Sequence, residues 1–328
     1  MSSLDISNII TSAGKGACGI TLLFAPDYFW NPQDGVLRSL GFFPKTGLES
    51  NHFDFSSQIN WRLIGASFLG VALGHFLMKE EADKRRFVRL KIAMSLPMLV
   101  LALSKAFAVN PPELLGKPFV GFLGATSLLQ ILGLGTMLYG LKPIKTSKTT
   151  EDQRAHPAAI VLLSFSFLYT LFCGLMLYGK PDIFAPGGLM AYDVKIEEEG
   201  DTMYEIVEFT TRFLGACVCA FLVPTMETIV DPTIHNVRKC CQFAAILFAL
   251  YTFCFLFGVF DTTGHAIKNV YIIQTAVEVV FTGLLAKGAF LGPAAGKGVQ
   301  GKVAATAKKT KEAPVPDLAV DENKIKHE

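Results

Sequence analysis

The chain has 328 residues, 51% of them hydrophobic and only 18% charged, with a formal net charge of +2. Soluble domains carry about 25% charged residues, so the composition speaks against an ordinary soluble domain, and the near-balanced charge speaks against a nucleic-acid partner. The distribution is more decisive than the total, because the apolar residues fall into long runs.

In chain order, the stretch 4–25 is apolar but interrupted by Lys15 and reads poorly as a membrane span when taken alone. Apolar runs follow at about 61–78, 88–107, 119–141, 157–179, 206–226, 240–260 and 270–291. Each approaches the ~20 residues that a helix needs to cross a ~30 Å hydrocarbon core. Helix is the expected form, because lipid cannot satisfy an open strand edge and barrel strands alternate in polarity. Residues 293–328 are rich in Gly, Ala, Lys and Pro and contain no Phe, Trp or Tyr. Such a segment buries too little apolar surface to fold and is expected to be a disordered Lys-rich cytoplasmic tail.

The sequence repeats itself. Cys18, Gly19, Leu22, Pro26, Asp27 and Phe29 match Cys173, Gly174, Leu177, Pro181, Asp182 and Phe184 at a constant offset of 155. Arg62, Gly65 and Ala66 match Arg212, Gly215 and Ala216 at 150, and Arg89 matches Arg238 at 149. Order and spacing are kept, as in a tandem duplication. The weak stretch 4–25 aligns with the strong run 157–179 and is therefore assigned as a first span. The expected fold is an all-α membrane protein of eight transmembrane helices, made of two parallel four-helix repeats (1–146 and 147–292) followed by the tail. Basic residues concentrate in alternate loops, at Lys84, Arg85, Arg86 and Arg89, at Lys142, Lys145 and Lys148, at Arg238 and Lys239, and in the tail, which holds seven lysines. The positive-inside rule then places both termini in the cytoplasm. The segment 180–205 is acidic and falls outside.

Polar residues inside the runs are the candidate functional groups. Glu278 falls near the bilayer midplane, where a carboxylate is costly and must face the bundle interior. It reads either as a neutral, hydrogen-bonded group, with Gln130 as a candidate partner, or as a proton, ion or ligand site. Arg62 and Arg212 open equivalent helices at their outer ends. They read as snorkelling side chains or as anion contacts on a shared outer cavity. Glu208 is spaced for an i,i+4 pair with Arg212, while Gln58 stands at its place in the first repeat; Asp27 and Asp182 are further candidate partners. Ala66, Gly70 and Gly74, with Ala216 and Ala220, form small-xxx-small stripes suited to close helix contact, either between repeats or between subunits. The seven cysteines read as small packing residues, the six histidines have no metal-ligand spacing, and no cofactor motif is visible.

The chain ends Lys324-x-Lys326-x-x. That ending resembles a di-lysine retrieval signal of endoplasmic-reticulum membrane proteins, a receptor-read address, and implies residence there; a chance pair in a lysine-rich tail is the alternative. The four-helix unit, with its Pro-Asp-x-Phe turn and an Arg-x-x-Gly-Ala helix start at Arg62 and Arg212, resembles the small DoxX-like membrane proteins. The resemblance implies a four-helix unit, here duplicated, and lends no activity. The expected function is a non-catalytic scaffold or binder of lipid or apolar ligands in an internal eukaryotic membrane. A carrier with a cavity between the repeats, or a lipid-modifying membrane enzyme, is the alternative. Membrane lipids are the expected partners, with a second copy or another membrane protein left open.

Overall fold

The computed structural model describes residues 3–31, 34–41, 55–77, 81–108, 117–140, 154–184, 201–262, 264 and 266–292. Among them every extended regular element is helical: α1 (Ser3–Phe24), α2 (Pro26–Trp30), α3 (Val36–Ser39), α4 (Phe55–Leu77), α5 (Glu81–Ala106), α6 (Lys117–Tyr139), α7 (Pro157–Gly179), α8 (Asp201–Ala220), α9 (Leu222–Val230), α10 (Ile234–Val259) and α11 (Lys268–Phe290). The segment 293–328, with Lys324 and Lys326, and the acidic stretch 185–200 lie outside the described residues.

Among the described residues, six helical segments are long and apolar enough to cross a membrane: Arg85–Ala106, Lys117–Tyr139, Pro157–Gly179, Val207–Val230, Ile234–Val259 and Lys268–Phe290. The two remaining long helices, α1 and α4, have 22 and 23 residues but fall short in apolarity. Asp5, Asn8 and Lys15 dilute the first; Gln58, Asn60, Arg62 and His75 dilute the second.

Local sequence explains where helices start and bend. Pro157 occupies the first turn of α7, where its missing N–H costs nothing, and the His156 ring accepts from Ala158 N at 3.2 Å. Thr233 caps α10 by accepting from Asn236 N at 3.1 Å. The run 206–226, expected as one helix, breaks between α8 and α9 at Phe221. Pro224 has no N–H to offer the Ala220 carbonyl one turn earlier, and its ring crowds that carbonyl.

The helices pack in a regular pattern. The extensive pairings are α1 with α4, α7 with α8, α5 with α6 and α10 with α11; across the molecule α4 meets α10, α5 meets α8, and α4 meets α8. Glycine sets the first two pairings. A Cβ at Gly19 would stand 2.6 Å from Leu69 N and 2.8 Å from Gly65 O, and one at Gly215 would stand 2.5 Å from Tyr178 N. Backbones that close leave no room for a side chain. The stripe at Gly70 and Gly74 faces α10 instead, against Leu247 and Phe243, while Ala66, Ala216 and Ala220 are fully buried in the core.

The core lies where α4, α5, α8 and α10 meet, with Ile64, Leu90, Met94, Phe209, Phe213 and Cys254 at its centre. The outer helices are inverted relative to a soluble protein. Phe122, Leu129 and Leu132 on α6, Phe165, Leu168 and Leu175 on α7, and Ile273 and Val280 on α11 are exposed. An apolar surface this continuous on several sides requires a non-aqueous surround.

Candidate functional site

Two cavities open between the helices, and each holds one of the costliest groups in the bundle. The first, of about 90 Å³, is walled by α7, α8, α10 and α11 with Leu63 of α4, and includes Tyr169, Cys173, Tyr251, Gln274 and Glu278. Glu278 is the eleventh of the 23 residues of α11. A helix that long rises ~34 Å, so the carboxylate stands halfway along it. It is 2% exposed. Tyr169 Oη donates to Glu278 Oε1 at 3.1 Å, and Gln274 Nε2 reaches the same oxygen at 2.9 Å and Tyr169 Oη at 2.6 Å. Stacking on Phe281, with ring centroids 4.8 Å apart, holds the Tyr169 ring in place. Glu278 Oε2 is buried without a hydrogen-bond partner. Ser67 Oγ and Tyr251 Oη are 2.7 Å apart beside the same cavity. The remaining wall is apolar apart from Thr170 and includes Phe172, Phe184, Phe221, Phe248 and Phe255. Phe172 is 61% exposed on α7, so the cavity opens sideways toward the apolar perimeter.

Gln130 does not serve Glu278. It stands on α6 and accepts from Ser95 Oγ at 3.2 Å, beside the second cavity. That cavity, of about 400 Å³, lies among α1, α5 and α6, with Phe68 of α4 and Phe213 of α8 completing the wall. Lys15 lines it and is 8% exposed. The Lys15 ammonium is 3.5 Å from Met94 Sδ and 4.7 Å from the Phe68 ring centroid.

Lys91, fully buried on α5, is satisfied differently. Its Nζ donates to Thr11 Oγ1 at 2.7 Å, to Ser12 Oγ at 2.9 Å, to Asn8 O at 3.1 Å and to Asn8 Oδ1. Asn8 Nδ2 in turn lies 3.2 Å from His75 Nδ1, so one polar cluster ties α1, α4 and α5 together.

Neither Arg62 nor Arg212 lines either cavity. Arg212 Nη2 lies 2.9 Å from Glu208 Oε1, the i,i+4 pair that the spacing predicts, and Lys105 Nζ meets Glu208 Oε2 at 2.8 Å. Arg62 Nη1 donates to Leu23 O at 2.5 Å and its guanidinium lies 4.1 Å from the Phe257 ring centroid. At the other end of the bundle Arg89 Nε is 2.7 Å from Glu227 Oε1 and Arg86 Nε is 3.5 Å from Glu227 Oε2. The Arg212–Glu208 pair lies within α8, and the other contacts fasten neighbouring helices.

The sequence pointed to Glu278 but not to Tyr169 and Gln274, its partners, nor to Lys15 and Lys91 as buried cations. Gln274, one turn before Glu278, was visible as a second polar residue on the same helix face. Tyr169 is 109 positions away and gives no local sign.

Several long apolar helices with lipid-type outer surfaces make this a multi-pass integral membrane protein. No family model matches the chain, and comparison with curated proteins and with solved structures gives no match.

Proposed function

We propose that the protein is an eight-span membrane protein of two parallel four-helix repeats that binds an apolar ligand, through a polar head, in the cavity at Glu278. The repeat reading is supported by the pattern of packing. α1–α4 corresponds to α7–α8, α5–α6 to α10–α11, and α4–α10 to α8–α5, so the pairings exchange under a two-fold operation. Asn60 Nδ2 donates to Thr210 Oγ1 at 3.2 Å, and these residues are equivalent under the offset of 150, as expected of a contact on the axis. The cavities correspond as well. Gly14, Lys15, Cys18, Phe68 and Phe213 of one align with Tyr169, Thr170, Cys173, Val218 and Leu63 of the other. α6 and α11 both have 23 residues and start at 117 and 268; that offset of 151 pairs Ser127 with Glu278. α5 and α10 both have 26 residues and start at 81 and 234. This register of 153, one helical turn from the Arg89–Arg238 match, pairs Met98 with Tyr251, both cavity residues.

The binding reading rests on one observation above the rest: Glu278 Oε2 is unpartnered inside an aromatic-walled cavity. A buried polar oxygen left unbonded costs about 1–3 kcal/mol, which a ligand donor would recover. The ligand class is an alkyl chain with an amine or hydroxyl head. The lateral opening at Phe172 suits entry from lipid. It favours a binder over a carrier that must open to two aqueous faces. Each cavity is built within one proposed repeat with a single residue of α4 or α8 from the other, whereas the alternative of a carrier placed its cavity between the repeats. Residence in the endoplasmic reticulum, with cytoplasmic termini, is proposed from Lys324, Lys326 and the sorting of basic loops. Kinship with DoxX-like proteins is proposed from the helix starts at Arg62 and Arg212.

The test uses purified protein in lipid nanodiscs, with dodecylamine and dodecanol as probes and dodecane as control. The amine or the alcohol should raise the melting temperature of the parent, and dodecane should not. Glu278→Gln should fold to the same melting temperature, since an amide keeps the bonds to Tyr169 and Gln274, and should lose the response. A ligand response unchanged in Glu278→Gln would contradict the reading, as would a variant that is merely less stable.

A further inference from the structure

We infer that the second cavity binds an anionic head group carrying an apolar chain, with Lys15 as the cation that recognises it. The inference does not rest on the reading of Glu278.

A buried ammonium is stable when carboxylates, carbonyls or hydroxyls surround it. Lys91 has such a shell; Lys15 does not. The contacts of Lys15 are a thioether and an aromatic face, which compensate weakly for lost water. No Asp or Glu lines the cavity, whose polar groups are Thr11, Ser95, Thr126, Ser127 and Gln130 beside the lysine. The hydroxyls of Thr11, Ser95 and Thr126 already donate to backbone carbonyls, so the Ser127 hydroxyl and the Gln130 amide are the neutral donors for an anion, and the lone basic side chain among them fixes its sign. The rest of the wall is apolar, with Phe68, Met98, Phe119, Phe122, Leu123 and Phe213. Phe122 and Thr126 reach the exposed face of α6, so a chain can leave sideways into lipid while its head stays at Lys15. At the matching position the other cavity has Thr170 in place of the lysine and Glu278 in place of Ser127. One cavity therefore holds a basic group and the other an acidic one, and they suit heads of opposite kind.

A free fatty acid and an acidic phospholipid present the same chemistry, and the experiment separates them. Binding of oleate, methyl oleate and acetate is measured on the full-length protein in neutral nanodiscs; a parallel series has dioleoyl phosphatidate in the disc. The ester has neither charge nor donor, so it is a ligand of neither cavity's polar group. Oleate should bind the parent at least ~10-fold more tightly than the ester, the gain expected of a charge-assisted hydrogen bond, and acetate should not bind. If phosphatidate is the occupant, it should displace oleate. Lys15→Met, close in volume and uncharged, should abolish the preference for oleate. A parent that binds oleate and methyl oleate equally, or a Lys15→Met variant that keeps the preference, overturns the inference. A diazirine-bearing fatty acid provides a readout that needs no variant. Crosslinks in α1, α5 or α6 support the site, and crosslinks confined to other helices overturn it.

Discussion

Lys15 on α1 and Lys91 on α5 are both buried, yet substitution should affect them in opposite ways. Lys91 joins α1 to α5 through Thr11, Ser12 and Asn8. Lys91→Met strands those acceptors in an apolar setting and should cost about 2–3 kcal/mol, read as a lower melting temperature in detergent. Lys15→Met removes a cation that lacks an oxygen shell and should leave the apo protein as stable or more stable. Equal losses for the two variants would mean that both lysines are structural. Glu278 was legible as a single carboxylate in an apolar run. Its partners were not, because Tyr169 comes from a helix brought alongside only by tertiary packing. Lys15 was read as a weakness in a span, when its meaning lies in the cavity that α1 forms with α5 and α6.

At the scale of elements, glycine decides which helices can touch. Gly19, Gly65 and Gly215 face backbone atoms at 2.5–2.8 Å from an added Cβ, so Ala at any of them must push two helices apart. Each should destabilise by about 1–3 kcal/mol. Gly174 meets the Cys219 Sγ first, at 2.6 Å, and a side chain that can rotate should soften the effect. At Gly133 and Gly135 nothing lies within 4 Å. Ala there should be neutral or stabilising by up to about 1 kcal/mol, its helix propensity being higher. Thermal unfolding of the series checks the order; a loss at Gly133 matching that at Gly215 would refute it. Hydropathy located the helices well because lipid exposure writes long apolar runs. It did not show the break at Phe221, which depends on Pro224 within a run that is otherwise apolar. The small-residue stripe on α4 was visible, but its facing helix, α10, was not.

At the scale of the molecule, a count of six or eight spans changes the side on which the α1–α4 connection lies. Both counts leave the two chain ends on one side, so tags at the termini do not separate them. If only the six most apolar segments cross, α1 and α4 stay on the side of the termini, and so does the chain between them. If α1 and α4 also cross, paired through Gly19 and Gly65, that connection lies on the opposite side. The proposed fold of two parallel four-helix repeats requires the second arrangement. The direct measurement is labelling of a Ser50→Cys variant by a membrane-impermeant maleimide in sealed vesicles, with terminal tags reporting vesicle orientation. The parent gives the background from its seven cysteines. The eight-span account predicts modification of Cys at position 50 only from the side opposite the tags; modification only from the side of the tags would contradict it.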